Sequence, residues 1–401
     1  MRRLMPAGLA AIYAISPLFP SFIALTGVAF PGISIVPRPA ALVVLGGCMF
    51  LAVYAIAMLR RYRLRGSQPL LLPLLAIFVA GLVAGFLGFD PRAGLLFTFV
   101  AGMGIVWHCS VMRFYRDEGA APAIFWSYLV TGGVASLAAI AMLAARWPAT
   151  QYALQHGRAT GTFVLPGELA GYLIIFLPVA YVLACRSRGA LRATAWAALA
   201  VGLSALALTY SRAGWMGFAA AAAFLIAART RYGGRAAIAT VVVGVVAVLL
   251  LFNAHHDPSE DYTRLSIWQA AGQIIDRFPL TGVGPFNFSR LYAAVRAPDA
   301  DPTAFHAHSL YLTFFAEFGL VGVAAVIWTL WRFGAELRRR VRAAPEPAAA
   351  LALGVTAGLV GVAVQGLIDT VSVVIFGMWI PTMGLALAAA GGDASDPAGE
   401  P

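Results

Sequence analysis

Lysine is missing from this chain: every one of its 28 basic residues is arginine. The plain reading is a compositional bias of the genome. It still leaves each cation as a planar, permanently charged guanidinium, suited to bidentate binding of phosphate or carboxylate. Charge of either sign is scarce, 11% of residues against 61% hydrophobic, where a soluble domain carries roughly a quarter charged. That excludes a soluble globular protein and implies an all-α integral membrane protein, in which 41 Gly and 23 Pro are easily accommodated. Cysteine is nearly absent. Cys48, Cys109 and Cys185 all fall in apolar runs, so neither a disulfide framework nor a metal site is indicated. There is no sequence repeat, no low-complexity tract before the tail at 391–401, and nothing resembling a cleavable signal peptide.

What is present is a series of apolar runs. A span needs roughly 20 mostly apolar residues, and twelve candidates can be read near 7–30, 39–59, 69–89, 93–112, 122–145, 161–185, 193–210, 214–228, 236–253, 309–331, 349–369 and 373–391. With the N-terminus in the cytoplasm, 19 of the 28 arginines fall in inner loops, among them Arg60, Arg61, Arg186, Arg188, Arg338, Arg339 and Arg340. This is the positive-inside pattern. It predicts cytoplasmic termini, and it explains the net charge of +11 without a nucleic-acid partner. Nine arginines run against the pattern: Arg38, Arg92, Arg146, Arg158, Arg212, Arg264, Arg277, Arg290 and Arg296. Their concentration between 146 and 296 points to an anionic ligand on the outer face. The chain divides into residues 1–150, the first five spans, and 151–401, the later spans with the polar constellation.

Residues 254–307 form the one long loop, and it is expected outside. Asp257-Pro258-Ser259-Glu260 has the form of a helix start. Leu265, Trp268, Ala271, Ile275 and Phe278 then recur at helical spacing, predicting an amphipathic helix that ends at Pro279. Gly282-Val283-Gly284-Pro285 forces a tight non-helical connection.

Four outer-face features hold the candidate site residues. The first is Arg158 in Arg-Ala-Thr-Gly-Thr-Phe, whose plainer reading is an arginine snorkelling at the interface. The second is Arg212 in the short turn Ser211-Arg212-Ala213-Gly214 between two apolar spans, where an unpartnered guanidinium is costly. The third is Arg264 with Trp268 in the loop helix. A salt bridge to Glu260 or Asp261 is the bland alternative for Arg264. The fourth is His308 at the head of the tenth span, with His306 two residues earlier; simple helix capping competes with chemistry at His308, and His306 reads first as a loop neighbour. Arg290 is grouped with the substrate-binding candidates. Glu317 lies nine residues beyond His308, so helical geometry turns it to the opposite face, where it would partner another span. Glu168 and Asp369 are candidate partners for these cations. Asp299 and Asp301 have metal-pair spacing, but in a Pro-rich loop. No metal and no cofactor is expected.

The run His308-Ser309-Leu310-Tyr311-Leu312-Thr313-Phe314-Phe315-Ala316-Glu317-Phe318-Gly319-Leu320-Val321-Gly322 resembles the signature of the O-antigen ligase/polymerase superfamily of membrane glycosyltransferases. Arg264, Trp268, Pro279 and Gly282-Val283-Gly284-Pro285 resemble its loop pattern, the segment at Arg158 the stretch before its sixth or seventh span, and Ser211-Arg212 its Ser-Arg turn. Ser309 stands where the family more often has Asn, and Pro166-Gly167-Glu168 where it more often has Pro-Asn. The resemblance covers roughly 155–325. It implies transfer of a glycan from undecaprenyl diphosphate to an acceptor hydroxyl at the periplasmic face of the bacterial inner membrane. His308, Arg212 and Arg264 would be catalytic, and Arg158, Arg290, His306 and Trp268 would bind substrate.

With a lipid A–core oligosaccharide as acceptor the enzyme is an O-antigen ligase of lipopolysaccharide biosynthesis. With another lipid-linked repeat as acceptor it is a polymerase. A single sizeable outer loop favours the ligase. A protein O-oligosaccharyltransferase is a further alternative, and a twelve-span transporter is the rival from another class. The transporter predicts polar groups strung through the bilayer midplane, whereas the enzyme predicts them gathered at one rim.

Overall fold

A computed structural model describes residues 4–18, 38–62, 68–229, 235, 238–239, 242, 258–298, 300–302, 304–370 and 378–391. Among them every regular element is a helix. In chain order these are α1 (Met5–Ala14, followed by the 3-10 turn Ser16–Leu18), α2 (Arg38–Tyr62), α3 (Leu71–Leu87), α4 (Pro91–Phe114), α5 (Ala120–Ala144), α6 (Ala149–Leu154) and α7 (Pro166–Arg186). There follow α8 (Gly189–Leu208), α9 (Arg212–Arg229), α10 (Pro258–Arg277), α11 (Phe288–Val295), α12 (Leu310–Ala343), α13 (Glu346–Gln365) and α14 (Trp379–Ala390). Six of them, α4, α5, α7, α8, α12 and α13, are long and apolar enough to cross a bilayer. Four shorter apolar helices accompany them, Met5–Leu18, Leu71–Leu87, Arg212–Ala228 and Trp379–Ala390. The chain is thus a multi-pass membrane protein. The expected ninth span at 236–253 falls outside the described residues apart from isolated positions. So do most of the first span beyond Leu18, residues 371–377, Asp257, Asp299 and residues 392–401.

Apolar patterning explains the layering. Helix α7 is hydrophobic on every side, from Leu169 through Phe176 to Ala184, and is therefore buried all round. Helices α8, α9 and α13 pack around it. Where α9 meets α13, Gly217 and Gly361 face one another, each leaving no room for a Cβ beside the other's carbonyl (2.6 Å). Close backbone approach of this kind replaces the hydrophobic driving force that lipid removes. The first half of the chain interleaves with the second: α3 packs on α12, α4 on α14 and α5 on α8. Apolar side chains left outside, such as Trp328 and Trp331 of α12, suit a lipid-facing surface.

The bundle has two chemically different ends. At one, Arg186 pairs with Glu346 (2.5 Å), Arg339 and Arg340 pair with Glu336, and Arg340 and Arg116 donate to the last carbonyls of α14, at Leu387 and Gly391. At the other lie the starts of α4, α7, α9 and α12. One helix of 21 residues, α7, separates the ends by about 30 Å at 1.5 Å per residue.

Helix α12 is broken at Gly319, whose φ of 61° and ψ of −168° interrupt the helix. The break is filled from outside. The turn after α10 lies across it, with Val283 N–H donating to Ala316 O (2.9 Å) and Gly284 N–H to Glu317 O (3.0 Å), while Leu320 N–H donates to Pro279 O (2.8 Å) and Val321 N–H to Leu280 O (3.2 Å). Both backbones are glycine at the crossing. A Cβ on Gly282 would stand 2.3 Å from Glu317 C, and one on Gly319 2.3 Å from Leu280 O. The expected tight connection at 282–285 is therefore a splice that fastens the loop to a membrane helix.

Glu317 was expected to partner another span, and the break changes that. Its buried carboxylate accepts from the backbone N–H of Phe288 (3.3 Å) and of Phe286, at the head of α11. A carboxylate at a helix N-terminus satisfies otherwise unpaired donors. The loop helix α10 occupies the expected register, but its buried face is Ile267, Ala270, Ala271 and Ile274, while Leu265 is 52% exposed. The apolar stripe is rotated because α10 packs on α12 and α11, not on a flat surface.

Candidate active site

Five elements converge at the end of the bundle opposite the arginine-rich one. Helix α12 begins there with Ser309 as its N-cap, the side chain accepting from Leu312 N–H (3.5 Å). The capping role considered for His308 thus falls to its neighbour. Leu310 N–H donates to Gly366 O (2.8 Å) and Asp369 O (3.1 Å), and Tyr311 Oη donates to Ala363 O (2.7 Å). These bonds pin the start of α12 to the end of α13. Helix α13 stops at Gln365, four residues short of the expected span end, so Asp369 lies in the turn beyond it. Gln365 Nε2 donates to Gly167 O (2.8 Å) at the head of α7, where a Cβ on Gly167 would strike the Asp369 carboxylate.

Arg158 reaches the same place from the chain before α7. Its Nε donates to Thr209 O (2.9 Å) and Nη2 to Tyr210 O (3.5 Å), capping the C-terminal end of α8 where carbonyls lack partners. Ser211 Oγ accepts from Gly214 N–H (3.0 Å), so the expected Ser-Arg-Ala-Gly turn is in fact an N-cap and the first turn of α9. Arg212 opens that helix, half-buried, two residues beyond the carbonyl that Arg158 holds.

The titratable groups feel one another. Burial first, and then the positive charge of Arg264, lower the His308 imidazole to about 4, against an opposing pull from Asp301. His306 is driven well below the ordinary histidine value by burial first, then by His308 and Arg264. Burial raises the Asp369 carboxyl while its Thr370 N–H, Arg264 and Arg158 hold it down. Arg264 therefore acts on His306, His308 and Asp369, and Arg158 acts on Asp369. Trp268 sits one turn along α10 from Arg264, and its buried Nε1 has no hydrogen-bond partner among the described residues. Arg290 stands apart, its guanidinium paired with Asp90 (2.5 Å). Asp90 in turn N-caps α4 through Arg92 N–H (3.0 Å). This bridge, with Phe89 edge-on to Phe278 (6.1 Å), braces α11 and α10 against the α3–α4 hairpin. Asp90→Ala is expected to cost less than about 1 kcal/mol through the half-exposed ion pair, plus about 1 kcal/mol through the lost cap. Thermal melting of the purified protein checks this sum.

His306, His308 and Asp369 each bring one ligand-type atom within 4.8 Å of the others, a spacing a metal ion would accept. Sequence reading gave no sign of it, because Asp369 is about sixty residues away along the chain. Two features disfavour a cation. His306 Nδ1 accepts the backbone N–H of His308 (3.1 Å), so its proton sits on Nε2 and that nitrogen donates instead of ligating. Both Arg264 and Arg158 also bear on the one carboxylate. Glu168, considered as a cation partner, instead accepts from the N–H of Val164 (3.0 Å) and Leu165 (3.4 Å) and so caps its own helix.

Taken as a whole, the site offers guanidinium and N–H donors with one half-buried carboxylate, the profile of a binding place for an oxygen-rich anion. No curated protein matches this chain. A family model described as O-antigen ligase matches residues 173–327, an interval that holds Arg212, Arg264, Trp268, His306, His308 and the splice at Gly319 but stops short of Asp369. Over that interval the chain is similar to the O-antigen ligase family.

Proposed function

We propose that the protein is an O-antigen ligase. It would transfer a polysaccharide from undecaprenyl diphosphate to a hydroxyl of the lipid A–core oligosaccharide, at the periplasmic face of the inner membrane. The observation that carries this reading is the clustering of Arg264, Arg158, His308 and Asp369 at one end of the bundle, opposite the arginine-rich end. Positive-inside sorting puts that second end in the cytoplasm, with twelve spans, cytoplasmic termini and the 254–307 loop outside. Residues 151–401 then carry the chemistry and 1–150 support it. The same clustering argues against a transporter, whose polar groups would thread the midplane.

In this reading the acceptor hydroxyl oxygen attacks the anomeric carbon and the bond from that carbon to the phosphate oxygen breaks. The electron pair leaves with undecaprenyl diphosphate, and the hydroxyl proton passes to His308. Arg264 and Arg212 stabilise the charge that grows on the leaving diphosphate, the kind of pre-set donor worth a few kcal/mol in a transition state. Arg158, Trp268 Nε1–H and His306 Nε2–H bind donor and acceptor oxygens; Arg290 contributes through its brace to Asp90. The leaving group is already activated and guanidinium groups carry its charge, so no metal or cofactor is required.

Binding of the diphosphate has a second consequence. Arg264 holds the proton affinity of His308 down, so an anion that neutralises Arg264 makes His308 a stronger base just when the donor is in place. The expected pH profile of kcat/KM, which reports the free enzyme, is flat from neutral pH downward and falls only near the His308 value of about 4. For kcat, which reports the complex, the acidic limb lies higher. A kcat/KM limb near 6.5, the ordinary histidine value, would contradict a half-buried base beside Arg264.

The deciding experiment uses purified protein, a lipid-linked polysaccharide donor and two competing acceptors, lipid A–core and a lipid-linked repeat, with EDTA present. Transfer to lipid A–core supports the ligase. Extension of the lipid-linked repeat supports a polymerase instead, and loss of all transfer under EDTA overturns the metal-free mechanism.

A further inference from the structure

His308 is one of five non-glycine residues among those described with a left-handed backbone, at φ 47°, a conformation that an L side chain adopts only when its surroundings hold it. The hold is visible bond by bond. Ala307 N–H donates to Thr313 Oγ1 (3.0 Å), Leu310 N–H to Gly366 O (2.8 Å), and between them His308 N–H donates to Nδ1 of His306 (3.1 Å). The first two acceptors belong to the packed helices. The third is a side chain inside the site. His306 is 5% exposed, wedged with its ring 4.4 Å from the Phe305 ring and 4.4 Å from the His308 ring, the latter at 74°.

We propose that His306 is the positioning residue for His308: its Nδ1 anchors the His308 peptide N–H in the left-handed conformation that aims the His308 imidazole into the site. The inference rests on the function proposed above and adds a division of labour within one ring. Nδ1 is committed as an acceptor, so a neutral His306 carries its proton on Nε2. It is therefore no base. Its buried Nε2–H, which has no partner among the described residues, faces outward from the anchor as a donor for a substrate oxygen. Without the anchor, His308 relaxes to the negative φ that ordinary residues prefer, and the base swings away while every other residue of the site stays in place.

The two nitrogens can be separated by substitution. Asn places an acceptor where Nδ1 lies and has nothing at Nε2; Gln reaches the Nε2 position and leaves Nδ1 empty. His306→Asn is expected to keep kcat within about threefold of the parent while KM rises, because the anchor survives and a substrate contact is lost. His306→Gln and His306→Ala are expected to lose kcat by roughly 100-fold, the scale of an ångström-level misplacement. Equal kcat in Asn and Ala variants, or a Gln variant that outperforms Asn, overturns the proposal. A second readout is independent of transfer. In protein labelled with 15N-histidine, the signal lost in His306→Ala should report unprotonated Nδ1 and protonated Nε2 between pH 5 and 8; the opposite tautomer overturns the anchor. If the parent transfers no glycan yet shows this tautomer, the ligase reading fails while the anchor stands.

Discussion

His308→Ala is expected to lower glycan transfer by roughly 10²–10⁴-fold, the range for removal of a general base, with the protein still folded and inserted. The ring is not part of the packing that starts α12, since Ser309 supplies the cap and the N–H groups of Ala307 and Leu310 find partners elsewhere. Arg264→Ala is expected to cost roughly 10²–10³-fold, as for one lost charge-stabilising donor, with a signature that His308→Ala lacks. Removing the cation that holds His308 down raises the acidic limb of the remaining kcat/KM profile. It also leaves Asp369 with Arg158 as its remaining cation, so that carboxyl is less strongly held ionised. Arg212→Ala should lose rate on the same scale without moving the limb. Transfer assays across pH with the three purified variants check this. An Arg264 variant with parental rate, or with an unmoved limb, would break the link between the guanidinium and the base.

The legible part of this protein was what periodicity and charge sorting can encode. Long apolar runs gave α4, α5, α7, α8 and α12 close to their expected positions because, in lipid, backbone groups must pair within the segment. The loop helix was readable from Pro258 and its apolar spacing, and its stop from Pro279. The candidate residues His308, Arg264 and Arg158 stood out in the sequence as polar groups on the face where arginine is otherwise scarce. What escaped is long-range pairing. Asp369 meets Arg264 and His306 only because α13 ends at Gln365 and turns back against α12. Asp90 meets Arg290 across 200 residues of chain. Glu317 was turned by simple helical arithmetic toward a neighbouring span, and what it meets there is the backbone N–H of Phe286 and Phe288 in the loop. Gly319 carried the only signal of the break. A glycine within an apolar run is common in membrane helices, so the signal is ambiguous until the Gly282 turn is seen lying across it.

That crossing sets up the largest structural effect. His308 belongs to α12 and Arg264 to α10, and the described structure fastens the far ends of those segments together through Pro279–Gly284 on Ala316–Val321. Gly282→Ala meets two obstacles. Gly282 has a φ of 69°, and the new Cβ would lie 2.3 Å from Glu317 C, 2.5 Å from Glu317 O and 2.6 Å from Phe318 N. All three atoms are backbone, so no side chain can turn aside, and the strands of the splice must separate. Overpacking costs about 1–3 kcal/mol and a strained left-handed residue about 1–3 kcal/mol more. The sum approaches the 5–15 kcal/mol stability of a typical fold. The expected outcome is a strongly lowered melting temperature in detergent and loss of transfer together. Gly272→Ala is the control: it lies on the same α10, where an added Cβ meets nothing within 4 Å, and alanine there should be neutral or slightly stabilising. If Gly282→Ala melts and transfers like the parent, the splice does not hold α10 on α12. The placement of Arg264 beside His308 would then need another source of rigidity.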